Sequence, residues 1–452
     1  MTLLAIDWNS VAVKTGQFIL SFSILVILHE MGHFLPAKWF KCRVEKFYLF
    51  FNPWFSLFKK KIGETEWGLG WIPFGGYVKI SGMIDESMDK EQLKMPAQPW
   101  EFRSKPAWQR LIIMLGGVTV NVILAIVIFI MIMWVWGEKY LPPQNLKYGI
   151  VADSLGKAVG LKDGDLIVKV GDKEIRDAMK VQGEVILTDS KNITIVRDGK
   201  EMQLSLPEGF TKSMNKNKGD NFVDIRIPFI AGEFSKNSGA EKAGILKGDR
   251  IIAADSVSTP YHNDFLALMK TKKTKKSIEL TVLRNGKETV TKTVQLDADG
   301  KIGVFPESEL KKLGLDVVTK QYTLAESIPA GFNKCWQTLG RYIAGIKQLF
   351  NGKANPNDSL GSVISITKIF PGEWDWMSFW TLTAVFSIIL AFMNVLPIPA
   401  LDGGHALFTL VEMITGRKPG DKFIEYAQMV GMVLLLGLMA YALGLDIWRI
   451  FK

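Results

Sequence analysis

The chain has 452 residues, 48% hydrophobic and 22% charged, with 14 Trp and 27 Phe. Its mean hydropathy of +0.14 is high for so charged a protein and points to membrane spans joined to polar domains. Two cysteines, Cys42 and Cys335, exclude a disulfide-rich secreted fold. The net charge of +10 fits basic loops beside anionic lipid, and no aromatic-basic motif argues for nucleic acid.

Residues 16–35 are the first stretch able to supply the roughly 20 apolar residues of a membrane helix. Their single basic flank, Lys14, and the lack of a small-residue cleavage site distinguish them from a signal peptide. Within this span lies His29-Glu30-Met31-Gly32-His33. On a helix, positions i and i+4 share a face, so both imidazoles reach one metal ion. A Glu beside the first His can serve as the base that activates a water there. Ionisable groups inside a span are costly and mark function; the rival reading is a pair of interior histidines bonded to their neighbours.

The loop at 37–110 carries thirteen Lys and Arg, which predicts a cytoplasmic location. It is not an ordinary linker. Residues 50–58 are aromatic and precede three lysines, a pattern suited to the membrane interface. Residues 67–79, including Gly75, Gly76 and Tyr77, are rich in β-formers and Gly and predict a hairpin or small sheet dipping towards the bilayer. The second span, 111–136, is the cleanest apolar run.

The next long stretch falls on the other face of the membrane. It contains a duplication: Gly160-Leu-Lys-Asp-Gly-Asp-Leu-Ile167 reappears as Gly244-Ile-Leu-Lys-Gly-Asp-Arg-Ile251, and Thr194-Ile-Val-Arg-Asp-Gly-Lys-Glu201 as Thr281-Val-Leu-Arg-Asn-Gly-Lys-Glu288. The Asp-Gly and Asn-Gly pairs predict hairpins, and the repeat predicts two β-rich modules of similar build. A helix start, a Gly-Asp turn and a strand resemble PDZ domains of the bacterial protease type. Such domains bind extended peptides or merely space and block. Ile328, Phe332, Trp336, Leu339, Ile343 and Phe350 then fall on one face of a helix over 325–350. This predicts either an amphipathic helix at the outer membrane surface or a packed one.

The third span, 376–395, runs into Asn394-Val-Leu-Pro-Ile-Pro-Ala-Leu-Asp402-Gly-Gly-His405. Pro397 and Pro399 break the helix and turn Asp402 inward. A catalytic zinc takes three protein ligands and keeps one position open, so a third ligand is needed. Asp402 and both motif histidines lie at the cytoplasmic ends of their spans, so Asp402 leads the candidates and His405 follows. Glu412 lies beyond the span, and His262 sits in the external repeat. The rival role for Asp402 is capping a turn. Arg417, Lys418 and Lys422 mark 403–426 as a second cytoplasmic loop before the fourth span, 427–448.

With both motifs in place, the chain resembles the site-2 protease family over nearly its full length. The resemblance rests on H-E-x-x-H in a first span, Gly-Gly-Tyr-Val-Lys in the first loop, tandem PDZ-like repeats, and N-x-x-P-x-P-x-x-D-G in a third span. It implies Zn2+ held by His29, His33 and Asp402, with Glu30 as general base. Asn394, Pro397 and Pro399 would hold the substrate backbone, and Gly75, Gly76 and Tyr77 would belong to a sheet that pairs with substrate. It further implies a multi-pass enzyme of the bacterial inner membrane, with its PDZ-like domains periplasmic. Such enzymes cut transmembrane segments of single-pass proteins, such as anti-sigma factors or remnant signal peptides, after a first protease has trimmed them.

The expected fold is therefore a polytopic α-helical membrane protein with four transmembrane helices, a membrane-associated β-hairpin or sheet and two tandem extracytoplasmic PDZ-like β-rich domains. The expected layout is a first span at 1–40, a cytoplasmic loop at 41–110, a second span at 111–136, PDZ-like domains at 137–222 and 223–310, a linker with the amphipathic helix at 311–375, a third span with its motif at 376–402, a loop at 403–426 and a fourth span at 427–452. The competing function is a membrane-anchored PDZ scaffold with a non-catalytic zinc site. Retention of Glu30 counts against it, because a closed structural site has no use for a base.

Overall fold

The computed structural model describes residues 7–83, 95–216, 222–272 and 275–451. They divide into two units, one of Met1–Gly137, Gln321–Ile343 and Pro356–Lys452, the other of Glu138–Lys320 and Ala344–Asn355.

In the first unit, four helices are long and apolar enough to cross a membrane. Helix α1 covers Trp8–Trp39 and opens on Asp7, whose carboxylate accepts from the backbone N–H groups of Asn9 and Ser10. Helix α2 covers Ala107–Val135. α1 and α2 cross at glycines: a Cβ on Gly32 would lie 2.5 Å from the Gly116 carbonyl oxygen. Only small residues let two helix backbones approach so closely. Helix α3, Leu324–Phe350, buries Cys335 and brings Gly331 onto α2, where a Cβ would lie 2.5 Å from the Ile130 nitrogen. Ile328, Phe332 and Trp336 of α3 remain exposed, while Leu339 packs on the apolar cluster around Cys335, so the apolar row seen in the sequence is only partly covered.

Helix α4, Trp376–Val395, has the bounds expected of the third span. It is tied to α2 where Ser387 Oγ donates to the Asn121 carbonyl (2.7 Å), and to α1 where the Ser21 and Thr383 hydroxyls meet at 2.9 Å. The segment 403–426, read from its basic residues as a loop, contains helix α5, Asp402–Thr415. Leu407, Leu410, Val411 and Ile414 give it an apolar stripe at helical spacing, and its Glu412 pairs with Arg110 of α2. Helix α6, Asp421–Phe451, is largely exposed. Its Asp446 accepts from the N–H groups of Ser362 (2.8 Å) and Ser365 (3.0 Å), at the start of a short helix, Val363–Ile369.

The first loop forms more than a hairpin. Strands β1 (Val44–Phe51), β2 (Phe58–Ile62), β3 (Thr65–Leu69) and β4 (Ile72–Ile80) make a four-stranded sheet in the order β2-β3-β1-β4. β1 runs parallel to β3 and antiparallel to β4, with Tyr48 opposite Tyr77 and Leu49 opposite Gly76. The two tyrosine rings stack at 5.3 Å. β2, with Lys59, Lys60 and Lys61, is exposed along its whole length and forms one edge; β4 forms the other.

In the second unit the duplicated sequence folds twice in the same way. Apart from the pair β5 (Glu138–Tyr140) and β18 (Val318–Lys320), the strands are β6 (Ile150–Ala152), β7 (Leu166–Val170), β8 (Lys173–Glu174), β9 (Asn192–Arg197), β10 (Lys200–Ser205) and β11 (Val223–Ile225), then β12 (Ala231–Phe234), β13 (Arg250–Ala254), β14 (Val257–Ser258), β15 (Ser277–Arg284), β16 (Glu288–Gln295) and β17 (Val304–Pro306). One copy has a sheet β10-β9-β7-β8 with a pair β11-β6; the other has β14-β13-β15-β16 with a pair β12-β17, the same neighbours throughout. Even the register shift recurs, between Ile167 and Lys169 and between Ile251 and Ala253. Each copy has its own apolar core. Each also repeats one buried ion pair: Arg197 donates to Asp165 and to the Gly160 carbonyl, and Arg284 to Asp249 and to the Gly244 carbonyl.

Candidate metal centre

The second and third turns from the C-terminal end of α1 carry His29, Glu30 and His33, and α5 begins at Asp402. Their meeting depends on the segment between α4 and α5. α4 stops at Val395, as Pro397 and Pro399 require. Ala400 then takes φ +80°, an uncommon conformation for a residue with a Cβ, and the chain re-enters a helix at Asp402. Gly404 must be glycine for this turn to close, since a Cβ would lie 2.6 Å from the Ile398 carbonyl oxygen.

The three side chains converge. Nε2 of His29 lies 3.3 Å from Asp402 Oδ2, Nε2 of His33 lies 3.3 Å from the same oxygen, and the two Nε2 atoms are 3.3 Å apart. A tetrahedral ion with bonds of about 2.0–2.1 Å has ligand atoms about 3.3–3.4 Å apart, so the triangle is the right size for zinc. Asp402 Oδ2 is buried and has no hydrogen-bond partner, an orphan that an ion would satisfy. Two imidazole nitrogens and one carboxylate oxygen are a hydrolytic zinc set with one position left open. The residues present fit the metal.

Helix α2, which sequence reasoning treated only as a span, builds the surroundings. Nδ1 of His33 lies 2.8 Å from the Ile113 carbonyl oxygen. The side-chain amide of Asn121 lies 3.1 Å from Nδ1 of His29. At Gly117 a Cβ would lie 2.6 Å from Cε1 of His29 and closer still to Nε2 of His33, so the imidazoles occupy the space a side chain would need. The available signal was a polar Asn and a Gly pair inside the most apolar run of the chain.

The other predicted residues fall as follows. Asn394, at the end of α4, places its amide nitrogen 3.3 Å from Nε2 of His29. Gly76 of β4 passes beside Glu30: a Cβ there would meet Val26 Cγ1 at 2.7 Å and Glu30 Cγ at 3.6 Å. Gly76 and Tyr77 line, with the triad and Glu30, a cavity of about 440 Å³. Burial, followed by the adjacent Tyr48, pushes the Tyr77 hydroxyl up to about 12, so it stays neutral and donates to Asn52 Oδ1 (2.9 Å). Pro397 and Pro399 shape the turn, and Pro399 abuts Gly431 of α6.

Three ligand candidates separate from the triad. His405 also lines the cavity, but the Gln428 amide lies 2.7 Å from its Nε2. Glu412 is engaged by Arg110. His262 packs its ring on Phe229 in the second unit, and burial lowers its pKa.

Helices able to span a bilayer, closing around a hydrolytic metal set, define a membrane-embedded metalloprotease. Comparison with known proteins agrees. The profile of Peptidase family M50 matches residues 17–438, and the chain belongs to that family, the site-2 proteases: it is an intramembrane zinc metalloprotease. It is similar to a chain named as a zinc metalloprotease in Treponema pallidum (28% identical, 92% of this chain and 95% of the relative) and to another in Rickettsia conorii (29%, 96% and 98%). It is similar too to the regulator of sigma E protease of Haemophilus influenzae (27%, 96% and 98%).

Proposed function

We propose that the chain cleaves transmembrane segments of single-pass membrane proteins, with His29, His33 and Asp402 as zinc ligands and Glu30 as general base. The observation that carries this reading is the 3.3 Å triangle of donor atoms with Glu30 beside it. When bound, zinc supplies Lewis acidity that makes a water nucleophilic near neutral pH. Glu30 takes the proton of that water and passes it to the leaving amine. Asn394, with its amide at the site, donates to the oxygen on which charge develops.

A membrane helix is a resistant substrate because its amides are bonded internally. β4 offers the remedy. It is an edge strand that passes Glu30, so an unwound substrate segment can add to it through Gly75, Gly76 and Tyr77 and regain its backbone hydrogen bonds. The Pro397–Pro399 turn holds the substrate from the opposite side.

In this reading the two repeat modules, 137–222 and 223–310, are PDZ-like and extracytoplasmic, and the active site is near the cytoplasmic face of a bacterial inner membrane, as the basic loops at 41–110 and 403–426 require. The remaining layout is the one expected from sequence: spans at 1–40, 111–136, 376–402 and 427–452 and a linker at 311–375. The relative named for sigma E regulation supports anti-sigma factors as one substrate class, remnant signal peptides being another, each after a first cut.

The test is Glu30→Gln in the full chain. Purified variant is expected to retain stoichiometric zinc while its cleavage of a model transmembrane substrate falls by at least the order of 10²-fold. Cleavage at the wild-type rate would remove Glu30 from the mechanism.

A further inference from the structure

We infer that Asn121 of α2 is a positioning residue for the metal centre, acting as hydrogen-bond acceptor for His29. The inference rests on the ligand assignment proposed above and adds to it a side chain from a helix that supplies no ligand.

Each imidazole presents Nε2 to the triangle, 3.3 Å from its two neighbours. A nitrogen that binds a metal has its lone pair on that side, so the ring's remaining proton sits on Nδ1 and must be donated. For His33 the acceptor is the Ile113 carbonyl oxygen, at 2.8 Å from Nδ1. For His29 the group at Nδ1 is the Asn121 amide, at 3.1 Å.

The Asn121 side chain is fully buried. With its nitrogen turned to His29, its Oδ1 is buried without a partner, and Nδ1 would have to be the unprotonated nitrogen. That tautomer puts a proton on Nε2, in the middle of the ligand triangle. The two ends of a side-chain amide differ by one heavy atom and are assigned from their hydrogen bonds. Turned over, the amide places its oxygen on Nδ1–H and frees the Nε2 lone pair for the metal. The backbone of Asn121 is pinned independently, since its carbonyl accepts from Ser387 Oγ (2.7 Å), so the amide is held at a fixed depth on α2. One helix thus provides both acceptors, a carbonyl for one ligand and a side chain for the other. Outer partners of this kind fix ligand orientation and are worth about 10–100-fold in metal affinity.

The experiment measures zinc affinity of the purified full chain in detergent by competition with a chromogenic chelator, and the visible spectrum of the Co2+-substituted protein. Asn121→Leu is expected to weaken zinc about 10–100-fold and to alter the cobalt spectrum. Asn121→Asp, of the same size and a stronger acceptor, is expected to bind zinc at least as tightly as wild type. Weaker binding by Asn121→Asp overturns the proposal even if Asn121→Leu fails to fold, because a group that had to donate to His29 would be lost in that variant. Wild-type affinity in Asn121→Leu also overturns it. Asp402→Ala separates the two levels: if it binds zinc like wild type, the ligand assignment itself is wrong.

Discussion

At the scale of single residues, the metal centre depends on side chains that are missing as much as on those present. Gly117 faces the two imidazoles with no room for a methyl group. Gly117→Ala should raise the intrinsic helix preference of α2 by about 1 kcal/mol, so a loss of metal cannot be blamed on a weakened helix. We expect zinc retained after dialysis to fall, with affinity at least about tenfold weaker. Full occupancy, measured by atomic absorption, would show that the rings have space to move. The convergence of His29, His33 and Asp402 was legible in the sequence because the two histidines sit at a spacing that puts them on one helix face, and because the prolines before Asp402 forbid a continuing helix. Asn121 and Gly117 were not, since their role depends on which face of α2 meets α1, and an apolar run of that length does not encode its own rotation. Nor was the left-handed turn at Ala400, which a residue with a Cβ adopts only when its surroundings impose it.

At the scale of elements, the duplicated unit offers an internal comparison. Asp249 is buried in β13's approach and bound by Arg284 from β15. Burial alone would push its carboxyl up, but the Arg284 guanidinium and the Leu246 N–H prevail and hold it below the usual value. A depressed carboxyl stabilises the fold above about pH 4, the unfolded value, and that contribution is lost as pH falls through the folded one. Arg284→Met leaves only the Leu246 N–H against burial, so the carboxyl rises and its contribution to the fold at neutral pH shrinks. Hydrogen exchange of β13 and β15 in the full chain, corrected for intrinsic rates, should be faster in Arg284→Met by about tenfold or more at pH 7, with a smaller difference at pH 4. No difference at pH 7 would mean the pair is dispensable. The repeat was readable because a Gly-Asp turn followed by an Asp-Gly or Asn-Gly hairpin punctuates both copies in the same order. Helix α5 was missed because Arg417, Lys418 and Lys422 drew attention to charge, while the apolar stripe at Leu407, Leu410, Val411 and Ile414 lay between glycines and those cations. In the first loop the aromatic run at 50–58 was recognised, but the strand that leads into it, β1, pairs with both β3 and β4. Such a non-local parallel pairing leaves no signature in a short window.

At the scale of the whole molecule, the proposed function implies an enzyme that spares intact membrane proteins and cuts trimmed ones. We expect the duplicated modules to act as a size filter on the substrate's outer part. A chain lacking residues 148–305 should still cut a trimmed substrate and should now also cut one that keeps its outer domain, as read by immunoblot of the two substrates in cells. If cutting stays strictly dependent on prior trimming while trimmed substrate is processed normally, the filter lies elsewhere. The general plan, spans flanking a polar repeat, followed from composition and periodicity. What the repeat modules admit or turn away was not readable, because hydropathy says only which segments are apolar enough to enter lipid.

The sheet of the first loop has two unlike margins. Along β2, three consecutive lysines would meet any incoming chain with unpaired positive charge, a common defence against adventitious pairing between copies of a protein. Along β4 the one lysine, Lys79, is paired with Glu45, and Gly75 and Gly76 lie mid-strand, Gly76 beside Glu30. If substrate adds to β4 as proposed, an unravelled polypeptide would be welcomed at one rim and repelled at the other, and a ribbon able to seed aggregation in a crowded bilayer would take visitors only beside the proposed base.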